Sequence, residues 1–117
     1  MAIYEPFVMK EILKVTCVIL RNNFCYDDEN LSMFIDIFTD DIAKDLSSFE
    51  SFAEKSVIDE LHRNAKARLY FTCYFVSISI RDLFINKMHF TEQELIAFES
   101  ILPKYTGDKP YETRPKY

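Results

Sequence analysis

The sequence predicts an all-α, single-domain bundle of about five helices, with a buried, aromatic-rich fourth helix and a flexible C-terminal tail. The 96 residues from Phe7 to Leu102 contain no Gly and no Pro, the two residues that are least favourable in a helix. The same stretch therefore lacks the glycine-containing turns that close most tight β-hairpins. Of the 117 residues, 49% are hydrophobic, which is enough for one domain with its own core.

The first predicted helix covers residues 6–22. Pro6 suits its first turn, because the N–H that proline lacks would have no intrahelical acceptor there. The helix carries one narrow polar stripe, formed by Lys10, Lys14, Cys17 and Arg21. Most other positions are apolar, whereas an ordinary surface helix hides an apolar face of only about 100°. We therefore expect either a central helix or one whose excess apolar surface contacts a second polypeptide.

A polar break follows the first helix, and in it Asp27 or Asp28 is the expected N-cap of the second helix. The second helix has an apolar stripe with helical spacing. Its members are Leu31, Phe34, Ile35, Phe38, Ile42 and Leu46. Residues 39–41 are expected to bend or split this helix.

Ser47 and Glu50 match the spacing of a capping box, which predicts the start of the third helix there. The apolar stripe of that helix is Phe49, Ala53, Val57 and Leu61.

The fourth segment, Arg68–Lys87, is the ambiguous one. Its core, Leu69–Ile80, is uncharged and rich in the β-branched and aromatic residues that favour a strand. However, the run from Ala65 to Lys87 is too long for one strand, and it contains no turn that would divide it into two strands. We therefore predict a buried helix, with a strand as the alternative. Thr72 and Ser79 are expected to donate to carbonyls of their own helix. Twelve uncharged residues are also fewer than the roughly twenty that a membrane span needs.

The fifth helix has a local start signal, with Thr91 as the N-cap and Glu94 as its reciprocal partner. Pro103 is expected to end it. These limits divide the chain into a helical domain, 1–103, and a flexible polar tail, 104–117, which has too few apolar side chains to order itself.

Charge and cysteine usage restrict the possible partners. The chain has 19 acidic and 14 basic residues, and this balance argues against a nucleic-acid partner, which requires a basic stripe. Cys17, Cys25 and Cys73 show no C-x-x-C spacing and are expected to be buried or half-buried thiols in a reducing cytosol. Glu5 and Lys10 flank the early apolar run, so no signal peptide is predicted, and the expected location is the cytoplasm of a host cell.

The sequence predicts no enzymatic chemistry. Without glycine in its body, the chain has no P-loop, dinucleotide fingerprint or nucleophile elbow. His62 and His89 lie in different predicted segments, whereas zinc needs three or four converging ligands. A zinc site of the three thiols with one histidine, or a Cys–His nucleophile pair, remains as an alternative. The main prediction is that the protein has no catalytic residue, no metal and no cofactor.

A pattern in residues 10–38 points to a family. Its elements are Lys10-Glu11-Ile12-Leu13, Val15, the Val18-Ile19 pair, Arg21, Glu29-Asn30 and Phe34-Ile35. Read without gaps, this segment resembles the N-terminal part of the AsiA family of T-even phage anti-sigma proteins. The resemblance implies a small, acidic, cytoplasmic, all-helical protein that dimerises through its first helix. It also implies that this helix binds region 4 of the RNA polymerase sigma subunit. The positions that match the sigma-contacting helix are Glu11, Val15, Val18, Ile19 and Arg21.

The predicted function is therefore protein–protein interaction without catalysis. We expect a virus- or phage-encoded inhibitor that blocks or redirects a host macromolecular complex, with an anti-sigma factor in transcription regulation as the most specific form. One alternative is a viral Bcl-2-like helical decoy, although the chain contains no Trp and so lacks an Asn-Trp-Gly-Arg motif. Another is an immunity or inhibitor protein, since an acidic surface suits a basic toxin or nuclease.

Overall fold

The computed structural model describes residues 2–106, the last three of them as backbone only. In this part of the chain there is no strand, which confirms the predicted all-α fold. Five helices follow one another, namely α1 (Pro6–Asn23), α2 (Asp28–Phe52), α3 (Lys55–Arg63), α4 (Ala65–Asn86) and α5 (Glu92–Thr106). The ambiguous fourth segment is thus a helix. No helix in the described part is long and apolar enough to cross a membrane.

Side-chain caps fix where several of the helices begin. At the start of α2, the N–H of Asn30 donates to the carboxylate of Asp27 over 2.8 Å, and the N–H of Asp27 donates back to the side chain of Asn30. At the start of α5, Thr91 and Glu94 form the same reciprocal pair, at 3.1 and 2.9 Å. Both caps were predicted. Asn64 caps α4 by accepting from two N–H groups of its first turn, a cap that the sequence analysis missed.

The predicted boundary between the second and third helices is wrong. Ser47 and Glu50 lie inside α2, which also passes through residues 39–41 without interruption. The reason is tertiary packing, because the ring of Phe49 lies 4.8 Å from that of Phe71 on α4 and holds this turn of α2 against the core. A capping-box spacing is a local signal, and burial of an apolar side chain outweighs it.

The predicted end of the fifth helix is also wrong, because Pro103 lies within α5, which continues to Thr106. A proline this close to a helix end removes only one of the last intrahelical hydrogen bonds. The helical region therefore extends past residue 103, the predicted limit of the domain. The rest of the predicted tail, from residue 107, lies outside the described residues.

The core is organised around α4, which packs against α1, α2 and α3, while α1 also packs against α2 and α5. Phe84 of α4 is 1% exposed and lies at its aromatic centre. Its ring is 4.3 Å from that of Phe90, 5.0 Å from Phe98 and 5.9 Å from Phe34. These contacts join α2, α4, α5 and the loop before α5, and they bear out the predicted aromatic character of the buried fourth helix.

A polar network holds the opposite end of α4. The guanidinium of Arg68 contacts the carboxylate of Glu5 at 2.6 Å and donates to the carbonyls of Leu61 and His62 at the end of α3. The N–H of Glu5 donates to the hydroxyl of Thr72, which itself donates to the carbonyl of Arg68, as predicted. This network ties the segment before α1 and the end of α3 to the start of α4.

The packing predicts the effect of truncating the aromatic centre. Phe84→Ala should lower the free energy of unfolding by about 3–5 kcal/mol, because it removes a fully enclosed ring and leaves a cavity. The control is Ile85→Ala, one residue further along, where the side chain is 41% exposed and the expected loss is about 1 kcal/mol or less. Urea unfolding followed by circular dichroism measures the free energy of unfolding of both variants. Equal losses would contradict the orientation of α4, in which Phe84 faces the core and Ile85 faces solvent.

Candidate protein-interaction surface

One side of α4 is apolar and open to solvent. Tyr70, Tyr74, Ile78, Arg81 and Ile85 follow one another at intervals of three or four residues and share one helix face. Tyr74 is 62% exposed and Ile78 40% exposed. We call these five residues the α4 stripe. At 1.5 Å per residue it is about 22 Å long. Four of its five residues are Tyr or Ile and one is the charged Arg81, and exposed surfaces rich in apolar side chains are typical of interaction sites.

A first groove lies on one side of the α4 stripe, between α1, α4 and α5. It encloses about 220 Å³ and is lined mainly by apolar side chains, among them Ile12, Phe84 and Phe98. The ion pair between Arg81 and Glu99, at 2.5 Å, lies at its edge. We call it the α1–α5 groove, and its size and lining suit apolar side chains of a ligand.

A second groove, the α2–α4 groove, lies on the other side of the stripe and forms an open cleft of about 650 Å³. Its walls combine aromatic side chains, including Phe52 and Phe75, with the carboxylates of Asp45 and Asp82. Tyr74 and Ile78 line both grooves. These two residues therefore form a ridge, and an apolar groove runs along each side of it.

The carboxylates give the α2–α4 groove a negative charge. None of the residues that line it is basic. Ser79, which was predicted to bond within its own helix, instead donates to Asp45 across the groove at 3.5 Å. Among residues 2–103, whose side chains the structure describes, neither Asp45 nor Asp82 has an ion-pair partner. The groove thus offers two carboxylates beside a set of aromatic rings.

The five sequence-predicted partner-binding residues of α1 do not form one exposed face. Glu11 and Val15 are half-buried, while Val18, at 38%, and Arg21 are exposed. Ile19 is fully buried in the core, so its predicted role as a partner contact does not fit this structure. The reason is its position on the side of α1 that faces the bundle, together with the buried Ile12 and Thr16.

Of the two alternatives for the first helix, a central helix or one that contacts a second polypeptide, the packing of α1 agrees with the first. Most apolar side chains of α1 pack on the core, and only Phe7 and Val18 are prominently exposed, because α1 has α2, α4 and α5 as neighbours. Sequence could not show how many helices would surround each segment. The sequence of α4 did contain a signal for an exposed apolar surface. Residues 70–80 include no charged side chain, so any side of this helix that the other helices leave uncovered is uncharged.

The potentially reactive groups are spread over different parts of the fold. Cys73 is buried and Cys17 half-buried, but Cys25 is exposed, so the expectation of three shielded thiols is wrong for it. Cys25 lies in the loop after α1, where its backbone has φ of 59°. Burial raises the pKa of the Cys73 thiol to about 12. Desolvation also raises the pKa of the Cys17 thiol, against the opposing charge of Arg21.

His62 lies on α3 and His89 in the loop before α5. Among residues 2–106, no group of three or more possible ligands is placed to hold a metal ion. The two histidines and three thiols thus lie on α1, α3, α4 and two loops, and the described structure does not assemble them into a common site.

Comparison with protein-family models, curated proteins and solved structures found no match to this chain. The structure shows a helical bundle with an exposed apolar ridge, which is flanked by two grooves.

Thiol accessibility gives a direct test of this description. At pH 8 a thiol reagent should modify Cys25 within minutes and leave Cys73 unmodified in the folded protein, because Cys73 is buried and its pKa of about 12 leaves almost no thiolate. Peptide mass mapping identifies the modified residue. The control is the protein in urea, where all three thiols should react, and rapid modification of Cys73 in the folded state would contradict its burial.

Proposed function

We propose that this protein is a non-enzymatic interaction module that binds another protein through the α4 stripe and its grooves, and thereby inhibits or redirects a larger complex. The supporting observation is the ridge of Tyr74 and Ile78, which is exposed between two apolar grooves. A groove of this kind accepts the apolar face of a partner helix.

The residue types on the ridge favour a protein partner. Tyr is enriched among residues that dominate binding energy, because it offers a large contact area and loses little conformational freedom. Tyr70 and Tyr74 lie on one face of α4, and Phe52, which is 87% exposed, extends the surface across the α2–α4 groove. The aromatic side chains are thus grouped on one part of the surface.

The RNA polymerase sigma subunit is the most specific partner that we propose, and its support is the resemblance of residues 10–38 to AsiA. In the structure, Glu11, Val15, Val18 and Arg21 remain at least partly accessible. Arg21 pairs with Asp28, but exposed pairs contribute at most about 1 kcal/mol, so Arg21 is available to a partner carboxylate. Under this more specific proposal, the protein is encoded by a phage and acts in the cytoplasm of the host.

Self-association through the first helix belongs to the same proposal. Phe7 and Val18 are both exposed, at 71% and 38%. They are eleven residues apart in sequence, a spacing that returns to the same side of an α-helix. A homodimer that joins these faces would cover both side chains.

The α1–α5 groove favours the helical decoy as a second candidate function. It is an apolar groove between helices, with Phe84 and Phe98 in its wall, and the apolar face of a death-motif helix is the kind of ligand that such grooves bind. Titration with death-motif peptides separates this function from sigma binding. The immunity function is favoured by the carboxylates of Asp45 and Asp82 in the α2–α4 groove, which suit a basic toxin or nuclease.

Replacement of one ridge residue tests the interaction module. Ile78→Asp should lower the amount of partner captured from a bacterial host lysate by at least about tenfold, or about 1.4 kcal/mol, because it places a charge in the centre of the apolar contact. Met33→Asp is the matched control, since Met33 is an exposed apolar residue of α2, 56% accessible, outside both grooves. Circular dichroism establishes that both variants are folded. Equal capture by the two variants would contradict the proposal.

Purified sigma subunit tests the specific partner. Val18→Asp should weaken its binding by about tenfold, because Val18 lies on the exposed side of α1. Ile19→Asp is unsuitable for this purpose, since a charge at a fully buried position unfolds the protein rather than removing a contact. If the unmodified protein does not bind sigma in isothermal titration calorimetry, the anti-sigma function is excluded, and the broader module is still judged by Ile78→Asp.

A further inference from the structure

We propose that the α2–α4 groove binds an amphipathic helix of a basic partner protein, one that carries Lys or Arg about two turns away from large apolar side chains. This inference rests on the proposed function and specifies the chemistry of the partner. It is based on the unequal ends of the groove, one acidic and one aromatic, and on the distance between them.

The direction of the two helices defines these ends. Lys87 of α4 pairs with Asp41 near the middle of α2, at 2.7 Å, whereas Phe49, further along α2, contacts Phe71, much earlier in α4. The two helices are therefore antiparallel. Asp45 and Asp82 consequently lie towards the same end of the groove, linked through Ser79, which donates to Asp45 and precedes Asp82 by less than one turn.

The acidic end is suited to a cation that the described side chains, residues 2–103, do not supply. Asp41 already has Lys87 as its partner. Asp45 and Asp82, by contrast, have no ion pair with any side chain of residues 2–103, and no basic residue among them lines the groove. Both carboxylates line the same groove, and a Lys or Arg of a partner would form charge-assisted hydrogen bonds with them.

The aromatic end lies about two helical turns away. Phe52 is seven residues beyond Asp45 on α2, and Tyr74 is eight residues before Asp82 on α4, so each pair spans about 10–12 Å along its helix. Phe52 and Tyr74 are 87% and 62% exposed, and they leave room for apolar side chains between them. A partner helix that reaches both ends needs its basic residue about seven positions from its apolar ones.

Charge also decides between this occupant and others. A second copy that docked through the same groove would bring two pairs of Asp45 and Asp82 together, which like-charge repulsion disfavours. An anionic membrane surface is repelled for the same reason, as is the phosphate backbone of a nucleic acid. A basic amphipathic helix supplies the positive charge that the lining of the groove lacks and apolar side chains that its aromatic residues can contact.

The experiment uses the full chain and two synthetic probes. The first is a fluorescent amphipathic peptide of about 18 residues, or five turns, with leucines on one face and a lysine seven positions from a leucine pair. The second has glutamate in place of that lysine. In fluorescence anisotropy, the lysine peptide should bind at least about tenfold more tightly than the glutamate peptide, and this preference should shrink as salt is added.

Matched variants locate the effect. Asp45→Asn with Asp82→Asn should reduce the affinity for the lysine peptide by about tenfold and abolish the preference between the peptides. Asp36→Asn with Asp40→Asn changes the net charge of the chain equally, at exposed positions of α2 outside the groove, and should leave both affinities unchanged. Phe52→Ala should weaken both peptides alike, because it removes an apolar contact and no charge.

Several results would overturn the inference. They are equal affinity of the two peptides, an equal effect of the two double variants, or no binding of either peptide. Self-association that depends on Asp45 and Asp82, measured by sedimentation equilibrium, would assign the groove to a second copy. Displacement of the probe by a synthetic peptide of residues 107–117 would assign it to the chain itself. The proposed function fails separately, when Ile78→Asp leaves partner capture unchanged.

Discussion

The uncharged and largely apolar stretch of α4, residues 69–80, is the constraint on which the structure depends. A helix of this kind must be covered from several sides to remain in water, and α1, α2 and α3 pack against it. They enclose Cys73, Val76 and Phe84 but leave Tyr74 and Ile78 in contact with solvent. The same property of one segment therefore contributes to both the core and the exposed surface, and side chains of α1, α2 and α5 complete the grooves beside it.

The two ends of α4 are held by different kinds of interaction, and together they make the α4 stripe a rigid platform. At one end, Phe84 is enclosed by the rings of Phe34, Phe90 and Phe98. At the other, the side chain of Arg68 is only 14% exposed, and its charge is compensated by a carboxylate and two helix-terminal carbonyls, as a largely buried charge requires. A surface on a helix fixed in this way loses little conformational freedom on binding, so more of the contact energy is retained as affinity.

What could be predicted from the sequence depended on the range of the interaction involved. The caps at Asp27 and Thr91 were predictable because each involves groups three residues apart, and the helical state of α4 followed from the absence of any turn. The continuation of α2 through Ser47 was not predictable, because a ring on α4 holds it in place. The same limit applies to the site. Val18 and Ile19 are adjacent and chemically alike, yet one is 38% exposed and the other fully buried, a difference set by helix neighbours that the sequence does not name.

The placement of the accessible residues bears on the difference between inhibiting a complex and redirecting it. Inhibition needs one surface that covers a partner's functional face, whereas redirection needs a second surface that makes a new contact while the first stays bound. Val18 and Arg21 lie on α1, and Tyr74 and Ile78 on α4, with α1 presenting its buried side to the bundle. A partner held by the exposed side of α1 therefore does not have to cover the α4 stripe. The fold thus carries separate accessible residues on two helices, which is the minimum that a redirecting protein requires.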